Sequence, residues 1–114
     1  MPCTDPRDVK SISDAFDLTT PDVLQWELEL IWKAVCLGLL VISPHARIAA
    51  KDDAIPQAAI RRIVHDGFPR SKDITAEKDR KIGINFEGKR RGGGWVRAKV
   101  TWRDGYTVVT VHAV

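Results

Sequence analysis

The sequence predicts an α+β domain in which N-terminal helices pack on one face of a C-terminal antiparallel sheet of three to four strands. Three observations carry that expectation. Apolar residues recur at helical spacing between 24 and 35 and again between 60 and 64, whereas from residue 81 onward the period is two. Asp104-Gly105 separates two alternating runs, which is the strongest short-range hairpin signal. Hydrophobic residues make up 44% of the 114 and charged ones 29%, a balance that suits one core and excludes whole-chain disorder.

Residues 1–20 carry Pro2, Pro6 and scattered charge and read as a loosely ordered arm with one short helix near SISDAF; residues 21–114 are expected to form the single domain. Thr20, Pro21 and Asp22 form a helix start, with a hydroxyl cap, a proline at the first position and an acid near the positive end of the dipole. Leu24, Leu28, Ile31 and Val35 then share a face that Trp26 and Trp32 widen, and Gly38 ends the run. LLVIS at 39–43 fits a strand or a continued helix, and periodicity does not decide between them. Ser43-Pro44 repeats the start signal and places His45 in the first turn of a short helix ending near Asp52. Unpaired backbone N–H groups near that ring disfavour the imidazolium and suit a general base.

Pro56 opens a further helix with Ile60, Ile63 and Val64 facing inward, and Gly67 is its expected left-handed stop. His65, in the last turn, reads as structural. Residues 68–80 are polar and are expected to form a loop. KIGINFEG then places Ile82, Ile84 and Phe86 on one face, KRRGGG reads as a flexible basic loop, and WVRAKVTWR alternates strictly.

A two-residue type I′ turn at Asp104-Gly105 pairs Arg103 with Tyr106 and, counting outward, Lys99 with Thr110 and Arg97 with His112. One face of the hairpin is then apolar and covers the helices. The other holds Trp95, Arg97, Lys99, Thr101, Arg103, Tyr106, Val108, Thr110 and His112. Cations, hydroxyls, a histidine and aromatic rings on one face can hold a phosphate, move a proton and stack a base.

Net charge is +3, unevenly spread. Residues 1–60 hold five Lys/Arg against nine Asp/Glu, and residues 61–114 hold thirteen against six. Between Lys89 and Arg103 there are six cations and no acid, which suits a polyanion such as RNA or DNA. The apolar run at 34–42 is far short of the ~20 residues that cross a bilayer, and the first residues lack the pattern of a signal peptide. Cys3 and Cys36 match no metal-ligand spacing. A cytoplasmic, reducing setting with no membrane, metal or cofactor requirement is the expectation.

SPHA at 43–46, IP at 55–56, Gly67, GINFEG at 83–88 and TVVTVH at 107–112 resemble the pattern of a family of small bacterial proteins of largely unassigned function. That family is similar to the barnase, EndoU, colicin and RelE-like superfamily of metal-independent RNases, found as toxins beside an antitoxin or immunity protein. The resemblance implies attack of an RNA 2′-hydroxyl on the adjacent phosphate, leaving a 2′,3′-cyclic phosphate. It implies His45 as base or acid with His112 as its counterpart, Lys99 and Arg97 on the phosphate, and Thr110 as a donor. Trp95 or Tyr106 would stack a base, with Arg47, Lys51, Arg90, Arg91 and Arg103 as further RNA contacts.

One departure bears on the assignment. The family continues His-Ala-x-x-Arg-Met-x-x-Arg, and here Ala49 and Asp53 occupy the two arginine positions. That loss favours a second reading, a nucleic-acid binder of a mobile element that keeps the fold without cleavage. A third is an interaction protein that dimerises through its Trp-rich helix or a sheet edge.

Overall fold

Strict alternation in the C-terminal third builds the sheet, and the helical stripes before it supply its cover. The computed structural model describes residues 3–77 and 80–114. A short 3-10 turn, Pro6–Asp8, precedes α1 (Ile12–Ala15) and α2 (Gln25–Cys36). There follow β1 (Val41–Ile42), α3 (Pro44–Asp52), α4 (Gln57–Asp66), β2 (Phe68–Asp73), β3 (Gly83–Lys89), β4 (Trp95–Trp102) and β5 (Tyr106–Ala113).

The α+β class holds, but the sheet has five strands in the order β1-β5-β4-β3-β2 and is mixed, not purely antiparallel. β1 runs parallel to β5, pairing Val41 with Thr107 and Ile42 with Val108. β2 occupies residues expected to be loop. Its FPRSKD sequence shows no apolar alternation because it is an edge strand, with Pro69 beside a bulge and with Lys72 as its buried side chain. Residues 74–77 and 80 of the expected loop lie outside any strand, and 78–79 lie outside the described residues.

α4 packs on β3 and β4, α2 packs on α4, and α3 runs along β5. Between these layers Leu30, Ile31, Ile60, Ile63, Ile84, Phe86, Val96 and Val100 are almost fully buried. Two glycines permit the close approach. A Cβ on Gly67 would sit 2.2 Å from the Ile63 carbonyl oxygen and 2.8 Å from that of Glu87, and one on Gly88 would meet the Ile63 side chain at 2.9 Å. Gly67 has a φ of −74°, so it ends α4 by fitting a narrow space and not by the expected left-handed turn.

Part of the arm packs into the domain. Val9, Ala15 and Phe16 are in the core, and the Phe16 ring meets Tyr106 edge-on at 6.3 Å. The helix near SISDAF forms as expected, capped by Ser11. α2 begins at Gln25 and not at Pro21, because the Glu27 carboxylate takes the Leu24 N–H at 2.7 Å and fixes the start there. Ser43 caps α3 as expected, its Oγ accepting the Ala46 N–H at 3.1 Å.

The terminal hairpin turns through Arg103, Asp104 and Gly105, not two residues, so Trp102 pairs with Tyr106 and Val100 with Val108. A bulge between Lys99 and Val100 then restores the expected pairing of Lys99 with Thr110 and Arg97 with His112. Tyr106 and Val108 consequently join the core cluster, and Val109, still buried, stands outside it.

Candidate nucleic-acid interface

β3, β4 and β5 place Glu87, Arg97 and His112 in one row, because Glu87 is the register partner of Arg97 and Arg97 that of His112. Residues in register share a face. Their neighbours Phe86, Val96, Ala98 and Val111 are buried in the core, so this row lies on the face away from it. Strands about 4.8 Å apart put the Glu87 and His112 backbones about 10 Å from each other with the guanidinium strand between them.

The Arg97 Nε donates to Glu87 Oε2 at 2.9 Å, and Nη2 donates to the same oxygen. The Arg70 Nε lies 3.7 Å from that oxygen on the opposite side. Glu87 Oε1 receives no hydrogen bond among the described residues. His112 is exposed, and its ring has no ion-pair partner among the described residues. A carboxylate and an imidazole therefore flank the Arg97 guanidinium, and the Arg70 guanidinium lies beyond the carboxylate.

Trp95 stands one pleat along β4 from Arg97 and is 48% exposed, and Phe68, opposite Glu87, is 62% exposed. With Arg70, Glu87 and Val114 they line a cavity of about 450 Å³. Large exposed aromatics beside arginines can stack on bases while the cations hold phosphate.

The next row has a different character. Lys99 is buried and donates to Asp73 Oδ2 at 2.7 Å, and Asn85 Nδ2 donates to Asp73 at 3.2 Å and to Ser71 Oγ at 3.0 Å. Partial burial raises the Asp73 carboxyl, but the Lys99 and Asn85 bonds and the Lys99 and Arg80 charges outweigh it and hold it below the usual carboxylate range. Lys99 is thus committed to a carboxylate. Thr110 is its half-buried partner across β5.

His45 is exposed in the first turn of α3, and it does not join this cluster. The Ser43 N–H bonds the Val108 carbonyl at 3.0 Å, and Asp53 Oδ2 accepts the Ala113 N–H at 3.0 Å. These two bonds lay α3 along the β5 edge, so His45 stands at the Val108 end and His112 at the other, roughly 13 Å along the strand. The two histidines do not flank one phosphate.

The remaining expected contacts divide. Tyr106 is 2% exposed, so its ring presents no surface to a base. Arg103 lies at the hairpin tip, roughly 20 Å along β4 from Arg97. Arg90 is not in a free loop: its guanidinium donates to the Asp53 and Ala54 carbonyls at 3.0 and 2.9 Å and closes the end of α3. Arg47 Nε donates to the Ile42 carbonyl at 3.1 Å. Arg47 and Lys51 line one cavity, and Arg62, Arg90 and Arg91 another; the two adjoin at Ala54, Ile55 and Pro56.

Sequence reasoning missed Glu87 and Arg70 as site groups. Glu87 was legible as the outward residue between Phe86 and Gly88, but its partner on β4 depended on a hairpin length that Gly92, Gly93 and Gly94 obscure. Among the described residues, no helix is long and apolar enough to cross a membrane. Compared with known proteins, the chain matches no family model, no curated protein and no solved structure.

Proposed function

We propose that the protein is an endoribonuclease that cleaves single-stranded RNA by internal attack of the 2′-hydroxyl, with its site on the Glu87–Arg97–His112 row. The observation that carries this reading is the cross-strand register itself: a carboxylate and an imidazole on one face, separated by a guanidinium strand. Glu87 Oε1 accepts the 2′-hydroxyl proton, Arg97 and Arg70 hold the phosphorane oxygens, and His112 protonates the departing 5′-oxygen. The 2′,3′-cyclic phosphate and a 5′-hydroxyl end result. Arg97 reaches the phosphate by giving up one of its two bonds to Glu87, which in turn frees that carboxylate. Trp95 and Phe68 stack the flanking bases.

This assignment gives the role of base to Glu87 and takes His45 out of the proton transfer. Lys99 and Thr110 become supports of the sheet face beside the phosphate, and Arg47, Lys51 and Arg91 become distant contacts for a longer strand. An antitoxin or immunity partner fits the reading as an acidic protein covering the same face. The non-catalytic binding reading keeps one specific support, the Ala49 and Asp53 at the positions of the family arginines.

The test is a variant panel on a short RNA with a single scissile linkage. Glu87→Gln and His112→Ala should each lower the cleavage rate by about 10²–10⁴, the range of a general acid or base. His45→Ala should leave it unchanged. Loss of activity in His45→Ala with full activity in Glu87→Gln would return the base to α3. Salt-sensitive binding without cleavage would support the non-catalytic reading instead.

A further inference from the structure

On the helical side of the molecule, Cys36 ends α2 and His65 and Asp66 end α4. The Cys36 Sγ lies 3.5 Å from His65 Nε2, and His65 Nδ1 lies 2.6 Å from Asp66 Oδ1. Cys36 is exposed. The separation of 29 positions between Cys36 and His65 hid this relation in the sequence, and the packing of α2 on α4 creates it. The RNA site uses none of the three groups.

From this geometry we infer that Cys36 is an activated nucleophile that exchanges with disulfides, with His65 as its proton acceptor and Asp66 orienting the ring. With Asp66 accepting the Nδ1 proton, His65 presents the Nε2 lone pair to the thiol. The Cys36 thiol passes its proton to Nε2, and the thiolate attacks one sulfur of the incoming disulfide. The S–S bond breaks as the new one forms, and the departing thiolate takes the proton back from Nε2. One thiol and one disulfide enter and one of each leaves, so no further oxidant is needed.

The surroundings choose disulfide exchange over acyl transfer. The N–H groups of Leu37, Gly38 and Leu39 donate to Lys33, Val35 and Ala34 carbonyls at 2.9, 3.1 and 2.8 Å, and that of Gly67 to Ile63 at 2.8 Å. The backbone donors next to the thiol are spent within the helix ends, and none remains for a tetrahedral oxyanion. A trisulfide-like transition state spreads its charge over sulfur and requires none. Lys33, Arg61 and Arg62 are the cations one turn away on α2 and α4; each donates to a backbone carbonyl, of Thr4, Leu40 and Lys89 respectively. His65 is therefore the group in contact with the sulfur.

Cys3 provides an internal control, since among the described residues its thiol contacts no histidine and hydrogen-bonds to the Asp8 carbonyl, at 3.7 Å. The experiment measures the rate of reaction with dithiodipyridine at neutral pH for Cys3→Ser, in which Cys36 alone reacts, and for Cys36→Ser. Each rate is divided by that of the same chain unfolded in urea. Exposure alone brings this ratio up to one and no higher. The inference predicts a ratio on the order of tenfold for Cys36, below one for Cys3, and a return of the Cys36 ratio to one or less in Cys3→Ser/His65→Gln. Oxidised glutathione should form a mixed disulfide with Cys36 in preference to Cys3, read by mass. A Cys36 ratio of one or less, or a ratio unchanged by His65→Gln in a chain of unaltered circular dichroism, would overturn it.

Discussion

The Lys72 ammonium group sits 2.9 Å from Glu27 Oε2 with both side chains wholly removed from solvent, joining edge strand β2 to the first long helix. The same carboxylate takes the N–H groups of Leu24 and Asp17 at 2.7 and 2.9 Å, and Lys72 also donates to the Asp17 carbonyl at 2.9 Å. This network ties the arm, α2 and β2 at one point. Removing one partner leaves a buried charge uncompensated, so Lys72→Met should cost about 3–5 kcal/mol in urea unfolding. A loss under about 1 kcal/mol, the range of an exposed pair, would show that the arm and β2 are not held there.

The ends of α2 and α3 make the same turn with different residues. Leu39 donates to Ala34 and Gly38 to Val35; likewise Ile55 donates to Ala50 and Ala54 to Lys51. The left-handed position is Gly38 in the first, at φ 71°, and Ala54 in the second, at φ 55°. A Cβ at Gly38 meets nothing within 4 Å, so backbone strain alone decides. Gly38→Ala should destabilise by about 1 kcal/mol and Ala54→Gly should stabilise by about 0.5 kcal/mol. Thermal unfolding of the two variants checks the opposite signs.

Tyr106 is the one tyrosine of the chain, and its buried hydroxyl has no hydrogen-bond partner among the described residues. Burial, reinforced by the Cys3 and Glu27 charges, pushes its phenol well above the ordinary range. The folded state keeps the proton at a pH where the unfolded chain, with a pKa of about 10, has lost it. Stability should therefore fall as pH rises above about 10, and Tyr106→Phe should flatten that limb. Below it, Tyr106→Phe should be neutral or stabilising by about 1 kcal/mol, since an unpaired hydroxyl leaves the core.

Asp73 carries the opposite sign. Its folded carboxyl is held below the ordinary range, so the Lys99 contact contributes stability above the unfolded value of about 3.9. That contribution is lost as pH falls through the lower folded value. Lys99→Met should reduce the stability difference between neutral and acid pH, measured as the shift in urea midpoint.

What the sequence made legible follows from how local each signal is. Ser43 with Pro44, Gly38 and the alternation of 95–102 act over a few residues, and the elements they predict are present. β2 escaped because an edge strand whose inward residue is a lysine looks polar until Glu27, 45 residues away, is placed beside it. The pairing of Arg97 with His112 was right although the turn was not, because the bulge beside Lys99 offsets the third turn residue. Tyr106 shows the cost of that error, since one residue of register moved it from the outer face to the core. The role of His45 depended on where α3 lies against β5, and no local pattern encodes that.

The most direct measurement is phosphorus NMR of the products formed from a short single-stranded RNA by the intact chain and by Glu87→Gln. A 2′,3′-cyclic phosphate signal with the intact chain, absent with Glu87→Gln and retained with His45→Ala, is the predicted result. Uncleaved RNA after prolonged incubation, or products bearing 5′-phosphate ends, would contradict the account.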